Sequence, residues 1–256
     1  MSESILVEIV DNKRRQVAER EARVAPSEMQ RRAMDAAPPR PMRFEGPMSL
    51  IGEVKRRSPS GGDLALRLEP AELARRYQHG GASAVSVLTD EGYFGGSFVD
   101  LETVRQAVGL PVLCKDFIVT AYQLYEARAH GADAVLLIAG ALDDEDLLLL
   151  HGLALELGMS PLVEVHQQHE LARAIAVGAR LIGINNRDLT DFSVDLLVTE
   201  YLAPLVPDEC TIVSESGIGT RLDVSRVAAA GATVVLVGET LVRSRDPAAA
   251  IGDLLA

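Results

Sequence analysis

Gly81-Ala-Ser-Ala-Val-Ser-Val-Leu88 is the first of four similar stretches in this chain. The other three are Gly131-Ala-Asp-Ala-Val-Leu-Leu-Ile138, Gly178-Ala-Arg-Leu-Ile-Gly-Ile-Asn185 and Gly231-Ala-Thr-Val-Val-Leu-Val-Gly238, with successive starts 50, 47 and 53 residues apart. Each stretch starts with a glycine, which commonly follows the last turn of a helix, and continues as an apolar run typical of a strand buried on both faces. The chain therefore carries an internal repeat in which a helix leads into a buried strand.

Four more short apolar runs lie between the repeats, at 48–54, 111–114, 161–165 and 211–214. Eight strands that alternate with helices predict an α/β fold, a parallel (β/α)8 TIM barrel made of four βαβα modules. A doubly wound open sheet is the alternative. Its glycine-rich G-x-G-x-x-G loop is missing after the first strand, at 55–62, so the barrel is preferred.

The first 47 residues do not fit the repeat. Five apolar residues fall on one helical face among charges: Ile5, Leu6, Ile9, Val10 and Val17. Ala37-Pro-Pro-Arg-Pro41 then ends any helix. We therefore expect an N-terminal helical extension and linker at 1–47 and a barrel at 48–256, within a single domain overall. The extension is expected to cap the floor or the edge of the barrel, and a lid over a substrate site is the alternative.

Composition excludes several classes of protein. With 48% apolar and 24% charged residues, the 256-residue chain has the composition of a globular protein, not a disordered or fibrous one. No apolar run approaches the roughly 18 residues of a membrane span, and the first residues lack a secretory signal, so we expect a cytoplasmic protein without membrane contact. The net charge of −12 argues against nucleic acid as a partner. An anionic ligand would need locally concentrated positive charge.

Ionisable residues close all four odd-numbered predicted strands. They are Glu53 and Lys55 on the first, Lys115 and Asp116 on the third, Glu164 and His166 on the fifth, and Glu215 on the seventh. Catalytic groups of such barrels project from the carboxyl ends of the strands, and residues two apart on a strand share a face. These side chains are therefore predicted to meet in the mouth of the barrel, where burial and neighbouring charge shift pKa values. The alternative is that they are solvated or pair only with each other.

Other residue types at strand ends suggest a ligand. Small residues at 214–219 and 237–242 follow the last two strands and predict a phosphate site, with tight turns as the alternative. Asn185 and Arg187 follow the sixth strand and offer hydrogen bonds to a hydroxyl and a carboxylate. Phe94 and Phe117 could sandwich an aromatic substrate, although core packing explains either ring equally.

Metal and thiol chemistry are not indicated. The two cysteines, Cys114 and Cys210, cannot form a disulfide framework or a metal cluster by themselves, and the spacing of His166 and His169 is no metal signature. Because Cys114 precedes Lys115 on a strand, its side chain should point away from the mouth into the strand–helix interface.

Six motifs together resemble the indole-3-glycerol phosphate synthase family, and the resemblance covers nearly the whole chain. They are Ile51-Gly-Glu-Val-Lys-Arg-Arg-Ser-Pro-Ser60, Leu88-Thr-Asp-Glu91 followed by Phe94-Gly-Gly-Ser97, Pro111-Val-Leu-Cys-Lys-Asp-Phe117, Leu162-Val-Glu-Val-His166, Ile182-Gly-Ile-Asn-Asn-Arg-Asp-Leu189 and Val213-Ser-Glu-Ser-Gly-Ile218. The resemblance implies a carboxy-lyase of tryptophan biosynthesis. Such an enzyme converts 1-(2-carboxyphenylamino)-1-deoxyribulose 5-phosphate to indole-3-glycerol phosphate, carbon dioxide and water, without a cofactor or metal.

The resemblance also implies a role for individual residues. Lys115 matches the family's general acid, Glu164 its base, and Lys55 a second lysine that contacts the substrate. The orienting and substrate-binding positions are matched by Glu53, Asn185, Arg187, Leu189, Glu215, Ser216, Gly217, Gly238 and Glu239, by the loop residues Ser58, Pro59 and Ser60, and, around the aromatic ring, by Phe94, Phe117 and Leu136.

The implied substrate is a small molecule that carries a phosphate and a carboxylate, so Lys55, Lys115 and Arg187 are expected to make the mouth locally positive. We expect a monomer in transient contact with other tryptophan-pathway enzymes. Two alternatives stay open. A phosphoribosylanthranilate isomerase would need a Cys/Asp or Asp/Asp pair, and a non-catalytic phosphate sensor would need only the phosphate loops.

Overall fold

In a computed structural model of the chain, the structure describes residues 5–58, 62–64, 69–188 and 192–256. Eight parallel strands form a closed barrel: β1 (Ser49–Val54), β2 (Ala84–Leu88), β3 (Val112–Lys115), β4 (Ala134–Ile138), β5 (Ser160–Val165), β6 (Leu181–Asn185), β7 (Thr211–Glu215) and β8 (Val234–Val237). Neighbours in the barrel are neighbours in the chain, and β1 pairs with β8 from Ser49↔Val234 to Gly52↔Val237. The predicted (β/α)8 barrel is confirmed, and the open sheet is wrong because this pairing leaves no free edge.

Helices surround the barrel. They are α3 (Pro70–His79), α4 (Glu91–Phe94), α5 (Phe98–Ala107), α6 (Ala121–Ala129), α7 (Asp144–Glu156), α8 (Gln168–Ala176), α9 (Leu197–Leu202), α10 (Arg221–Ala230), α11 (Glu239–Arg243) and α12 (Pro247–Leu255), with 3-10 turns at Ala139–Ala141 and Ala203–Leu205. Two further helices, α1 (Ile5–Arg23) and α2 (Pro26–Asp35), precede β1. A short antiparallel ribbon pairs Arg57–Ser58 with Gly62–Asp63.

The repeat glycines end helices, as the sequence predicts. Gly81, Gly131, Gly178 and Gly231 have φ values of 90°, 89°, 82° and 116°, in the left-handed region where a side chain is costly. Each lies three residues before the first residue of a strand. The repeat therefore marks the point where the chain leaves an outer helix and enters the barrel.

Side chains alternate between two hydrophobic layers along each strand. Ile51 and Leu113 belong to the cluster inside the barrel, whereas Leu50 and Cys114 belong to the larger cluster between strands and helices. The predicted outward direction of Cys114 is confirmed. Burial there raises the pKa of this thiol to about 12, so it stays protonated at neutral pH.

The N-terminal helix α1 lies at the mouth of the barrel, not at its floor. Lys13 is 2% exposed, and its Nζ lies 2.6 Å from Asp90 Oδ2 and 2.7 Å from Asp116 Oδ1, in the segments that follow β2 and β3. Ile9 joins the interior cluster that also contains Phe117. The expectation of a floor cap is therefore wrong for α1, because a buried lysine finds its two carboxylates only at the carboxyl ends of the strands.

The linker after α2 runs down to the opposite end of the barrel. Arg40 Nη1 donates to the carbonyl oxygens of Val108 and Leu110, and the Arg40 backbone N–H donates to Asp133 Oδ1, all just before β3 and β4. Met42 and Phe44 pack against the interior cluster. The floor cap thus applies to the linker.

In the part of the chain described, no helix combines the length and apolarity that crossing a bilayer requires.

Candidate active site

A cavity of about 460 Å³ opens at the carboxyl ends of the barrel strands. Fourteen of the eighteen predicted site residues line it: Glu53, Lys55, Phe94, Lys115, Phe117, Leu136, Glu164, Asn185, Arg187, Glu215, Ser216, Gly217, Gly238 and Glu239. Of the other four, Pro59, Ser60 and Leu189 lie outside the described residues, and Ser58 pairs with Gly62 in the short ribbon. One concave surface therefore brings together the predicted ionisable and aromatic groups.

Lys55 and Glu53 form an ion pair at the end of β1. Lys55 Nζ lies 2.6 Å from Glu53 Oε1. Burial alone would raise the pKa of Glu53, but Lys55 and Lys115 outweigh it and lower that pKa. The strand beneath is held by Tyr77, whose hydroxyl donates to the Glu53 carbonyl oxygen at 3.0 Å. The Glu53 carboxylate is therefore ionised and fixed in place.

Lys115 lines the mouth and lies between two carboxylates. Its Nζ is 3.1 Å from Glu164 Oε2 and 3.3 Å from Glu215 Oε2. Burial would lower the pKa of Lys115, but Glu164, Glu215 and Glu53 together raise it. The side chain is therefore an ammonium at neutral pH, the form that can donate a proton or a charged hydrogen bond.

The two carboxylates that share Lys115 differ in ionisation. Asn185 Nδ2 donates to Glu164 Oε1 at 3.1 Å, and the nearby Lys115 and His166 lower the pKa of Glu164 against the effect of burial. Glu215 Oε1, in contrast, is buried with no hydrogen-bond partner in the described chain. Burial, with repulsion from Glu164, raises the pKa of Glu215 to about 7 even though Lys115 opposes it. Glu164 is thus the ionised member of the pair, and Glu215 holds a proton more readily.

Two glycines make room for these charges. A Cβ at Gly183 would lie 2.2 Å from Glu215 Oε1, and a Cβ at Gly238 would lie 2.5 Å from Glu53 Oε1. Neither glycine has a positive φ in the structure, so their role is to allow close approach.

Aromatic rings form one wall of the cavity. The centroids of Phe94 and Phe117 lie 6.2 Å apart at an interplanar angle of 31°. Phe94 ends α4, which is capped by Asp90 Oδ1 accepting from the Tyr93 N–H at 2.6 Å. Leu136, on β4, also lines the cavity. This wall can accept a flat apolar ring.

The loops after β7 and β8 form the opposite side. Ser216 and Gly217 have φ values of 64° and 81°, and a Cβ at Gly217 would lie 2.6 Å from Val194 Cγ1. Thr240 Oγ1 donates to the Ile218 carbonyl oxygen at 2.9 Å and ties the two loops together. The predicted phosphate-binding segments therefore meet in space at one end of the cavity.

The mouth is not positive overall, which corrects the expectation from Lys55, Lys115 and Arg187. Over the described chain its lining contains four cationic side chains, Lys55, Lys115, Arg187 and Arg243, and five acidic ones, Glu53, Asp116, Glu164, Glu215 and Glu239. Both lysines contact glutamates, and Arg187 Nη1 donates to the Phe192 carbonyl oxygen at 2.9 Å. Residue types alone do not reveal such pairing.

Sequence reasoning missed several residues near this site. Arg243 pairs with Glu239 at 2.9 Å, and Phe192 lines the cavity. The burial of Lys13 could have been predicted from the sequence, because Lys13 lies on the same helical face as the apolar residues Ile9 and Val17. Among the described residues no three His, Cys, Asp or Glu side chains are arranged to hold a metal ion.

Solved structures share the fold. A thiamine phosphate pyrophosphorylase from Pyrococcus furiosus aligns with a TM-score of 0.62 at 19% identity, covering 82% of this chain and 94% of that one. A 3-hexulose-6-phosphate synthase aligns with a TM-score of 0.64 at 19% identity, covering 81% and 98%. At this identity the likeness concerns the barrel alone.

Sequence comparison identifies the family. The family model described as indole-3-glycerol phosphate synthase matches residues 6–254. A protein of that name from Streptomyces griseus subsp. griseus is 51% identical over 257 residues, covering 99% of this chain and 95% of its own. Another from Nocardioides sp. is 52% identical over 252 residues, covering 97% and 96%. The chain is therefore a member of the indole-3-glycerol phosphate synthase family of enzymes.

Proposed function

We propose that this enzyme converts 1-(2-carboxyphenylamino)-1-deoxyribulose 5-phosphate to indole-3-glycerol phosphate, carbon dioxide and water. One observation carries the proposal: the Lys115 ammonium lies 3.1 Å from Glu164 Oε2, inside a mouth with an aromatic wall. Family membership supports the same reaction. The steps form one carbon–carbon bond, break another to release carbon dioxide, and break a carbon–oxygen bond to release water, with no net oxidation, so they need no redox cofactor.

Ring closure is the first step. The aromatic carbon that bears the carboxylate attacks the ketone carbon, and negative charge develops on the ketone oxygen. A positioned ammonium stabilises that charge and delivers a proton. Lys115 is assigned this role because it lines the mouth next to Glu164 and its Nζ is protonated at neutral pH.

Decarboxylation and dehydration follow. The bond to the carboxylate breaks, carbon dioxide leaves, and the electron pair returns to the ring. In the final step a base takes a proton while an acid protonates the departing hydroxyl group as water. Glu164 is assigned as the base since it is ionised next to Lys115, and Lys55 or Lys115 as the acid. Asn185 orients Glu164 through its 3.1 Å hydrogen bond, and Glu53 holds Lys55.

The remaining predicted residues bind the ends of the substrate. Phe94, Phe117 and Leu136 are proposed to contact its aromatic ring, and Arg187 its carboxylate. The phosphate end is assigned to Ser216, Gly217, Gly238 and Glu239, with Glu215 in the polar frame. Ser58, Pro59 and Ser60 are proposed to help enclose the substrate, and Leu189 to bind it. We also propose a cytoplasmic monomer with an extension at 1–47 and a barrel at 48–256, in transient contact with other tryptophan-pathway enzymes.

The decisive experiment supplies the purified protein with the carboxyphenylamino substrate and no added metal or nucleotide. We expect an indole product to form, and we measure its formation by indole fluorescence. A parallel assay with phosphoribosylanthranilate tests the isomerase alternative. Cys114 faces the outer layer and so supplies no thiol to the mouth, which disfavours that alternative. Turnover in the isomerase assay alone would reject the proposed function.

A further inference from the structure

His166 contacts Glu164 from outside the cavity lining. It follows β5, two residues after Glu164, so both side chains point toward the same face. Its Nε2 lies 3.5 Å from Glu164 Oε1, and its Nδ1 lies 3.6 Å from Glu170 Oε2. The side chain is 14% exposed. The imidazole therefore lies at ion-pair distance from two carboxylates, one of them the assigned base, and its buried Nε2 makes no hydrogen bond within the described residues.

Glu170 is rigidly held behind this histidine. Its Oε2 accepts from the backbone N–H groups of His166 at 2.6 Å and of Gln167 at 3.2 Å. A Cβ at Gly140 would lie 2.7 Å from Glu170 Oε1, so the glycine leaves space that the carboxylate occupies. The buried carboxylate thus fixes both the turn after β5 and the imidazole on it.

Negative charge surrounds the imidazole. Two carboxylates contact it, Glu164 on β5 and Glu170 on α8; Glu215 on β7 acts on it at longer range, and the Lys115 ammonium lies against the other oxygen of Glu164. The turn Ala139–Ala141, which packs against β5 and α8, has no titratable side chain. Burial alone would lower the pKa of His166, but these three carboxylates outweigh it and raise that pKa, which favours the cation.

We propose that His166, anchored by Glu170, is a positioning residue that keeps Glu164 ionised and oriented as the base. Lys115 faces Glu164 Oε2, while Asn185 and His166 face Oε1, so each oxygen has its own cationic or amide partner. When Glu164 accepts the substrate proton, His166 stays balanced by Glu170 and need not release its own. The inference rests on the proposed function, in which Glu164 takes that proton.

A titration without substrate tests the electrostatic part. Protein labelled with ¹³C at glutamate carboxyl groups is titrated by NMR, and the Glu164 signal is assigned by its loss in Glu164→Gln. We expect His166→Ala to move the Glu164 titration about one pH unit higher, the shift expected from loss of a neighbouring cation. His169→Ala, which removes an exposed histidine three residues away, should leave it in place. An unmoved Glu164 titration in His166→Ala would overturn the proposal.

Kinetics test the positioning part. We expect His166→Ala to shift the acid limb of the kcat profile upward by about one pH unit, with KM within about twofold, so that kcat falls mainly at the acid end of the profile. His166→Gln keeps a polar side chain of similar length without the charge, so it should keep the shifted limb. Glu170→Gln should shift the limb in the same direction. Thermal melts show whether each variant is folded. If His166→Ala is unfolded, the acid limbs of His166→Gln and Glu170→Gln test the proposal instead.

The outcomes separate this inference from the proposed function. No turnover by the unaltered protein rejects the proposed function, while the NMR titration still reports whether His166 acts on Glu164. Normal turnover with kcat and acid limb unchanged in His166→Ala rejects the positioning role alone. A loss confined to KM, or one matched by His169→Ala, would also reject it.

Discussion

Gly238→Ala should disable the mouth without disturbing the barrel. The new Cβ would lie 2.5 Å from Glu53 Oε1 and 3.2 Å from Lys55 Nζ, whereas ordinary contacts begin at 3.4 Å. The Glu53 carboxylate must therefore retreat by about 0.9 Å (3.4 − 2.5), and Lys55 must follow its partner. Gly238 has a negative φ of −116°, so alanine meets none of the strain of the left-handed region, and the steric conflict is the main perturbation.

A displacement of about 1 Å in a catalytic constellation costs on the order of 100-fold in rate, and we expect kcat to fall by about that factor. Steady-state kinetics with the carboxyphenylamino substrate measure it, with thermal melting to compare stability. Gly252→Ala, on α12 with no atom within 4 Å of the new Cβ, is the matched control and should keep the full rate. If Gly238→Ala turns over at the unaltered rate, the Glu53–Lys55 pair does not need its observed position.

Three further substitutions address the mouth and its support. Lys115→Ala should lower kcat by about two to four orders of magnitude, because the general acid is lost; a near-normal rate would remove it from that role. Lys13→Ala should reduce the free energy of unfolding by about 3–5 kcal/mol, because Asp90 and Asp116 lose a buried cation. Urea denaturation measures this, and a change below about 1 kcal/mol would show that the two ion pairs contribute little. Burial raises the pKa of Glu215 to about 7 from 4.5, so its protonated form favours folding and stability declines as pH rises between these values. Glu215→Gln should flatten that decline in thermal melts across the same range, and an equally steep decline would contradict the shifted pKa.

The fold could be predicted because its signals are local. A glycine after each helix and an apolar run after each glycine recur four times, and each signal depends only on the backbone of its own segment. The position of α1 could not be predicted this way. Its apolar face shows that the helix is buried, but Lys13 finds Asp90 and Asp116 in segments 77 and more residues away. Only the closed barrel brings these segments together.

The sequence predicts which residues belong to the candidate site, but not which of their side chains form ion pairs. Residues at the carboxyl ends of parallel strands share one mouth, which places Lys115 and Glu164 together. Lys115 also contacts Glu215, so Glu215 competes with Glu164 for one ammonium. The two Nζ–oxygen distances differ by only a few tenths of an ångström, which sequence patterns cannot predict. The expected positive mouth failed for the same reason, because charge balance depends on which side chains meet.

A crystal structure with indole-3-glycerol phosphate bound tests the central claim most directly. We expect the indole ring against Phe94 and Phe117, the phosphate at Ser216–Gly217 and Gly238, and the Lys115 and Glu164 side chains on either side of the five-membered ring. Product bound away from Lys115 and Glu164, or with its phosphate at the aromatic wall, would contradict the account.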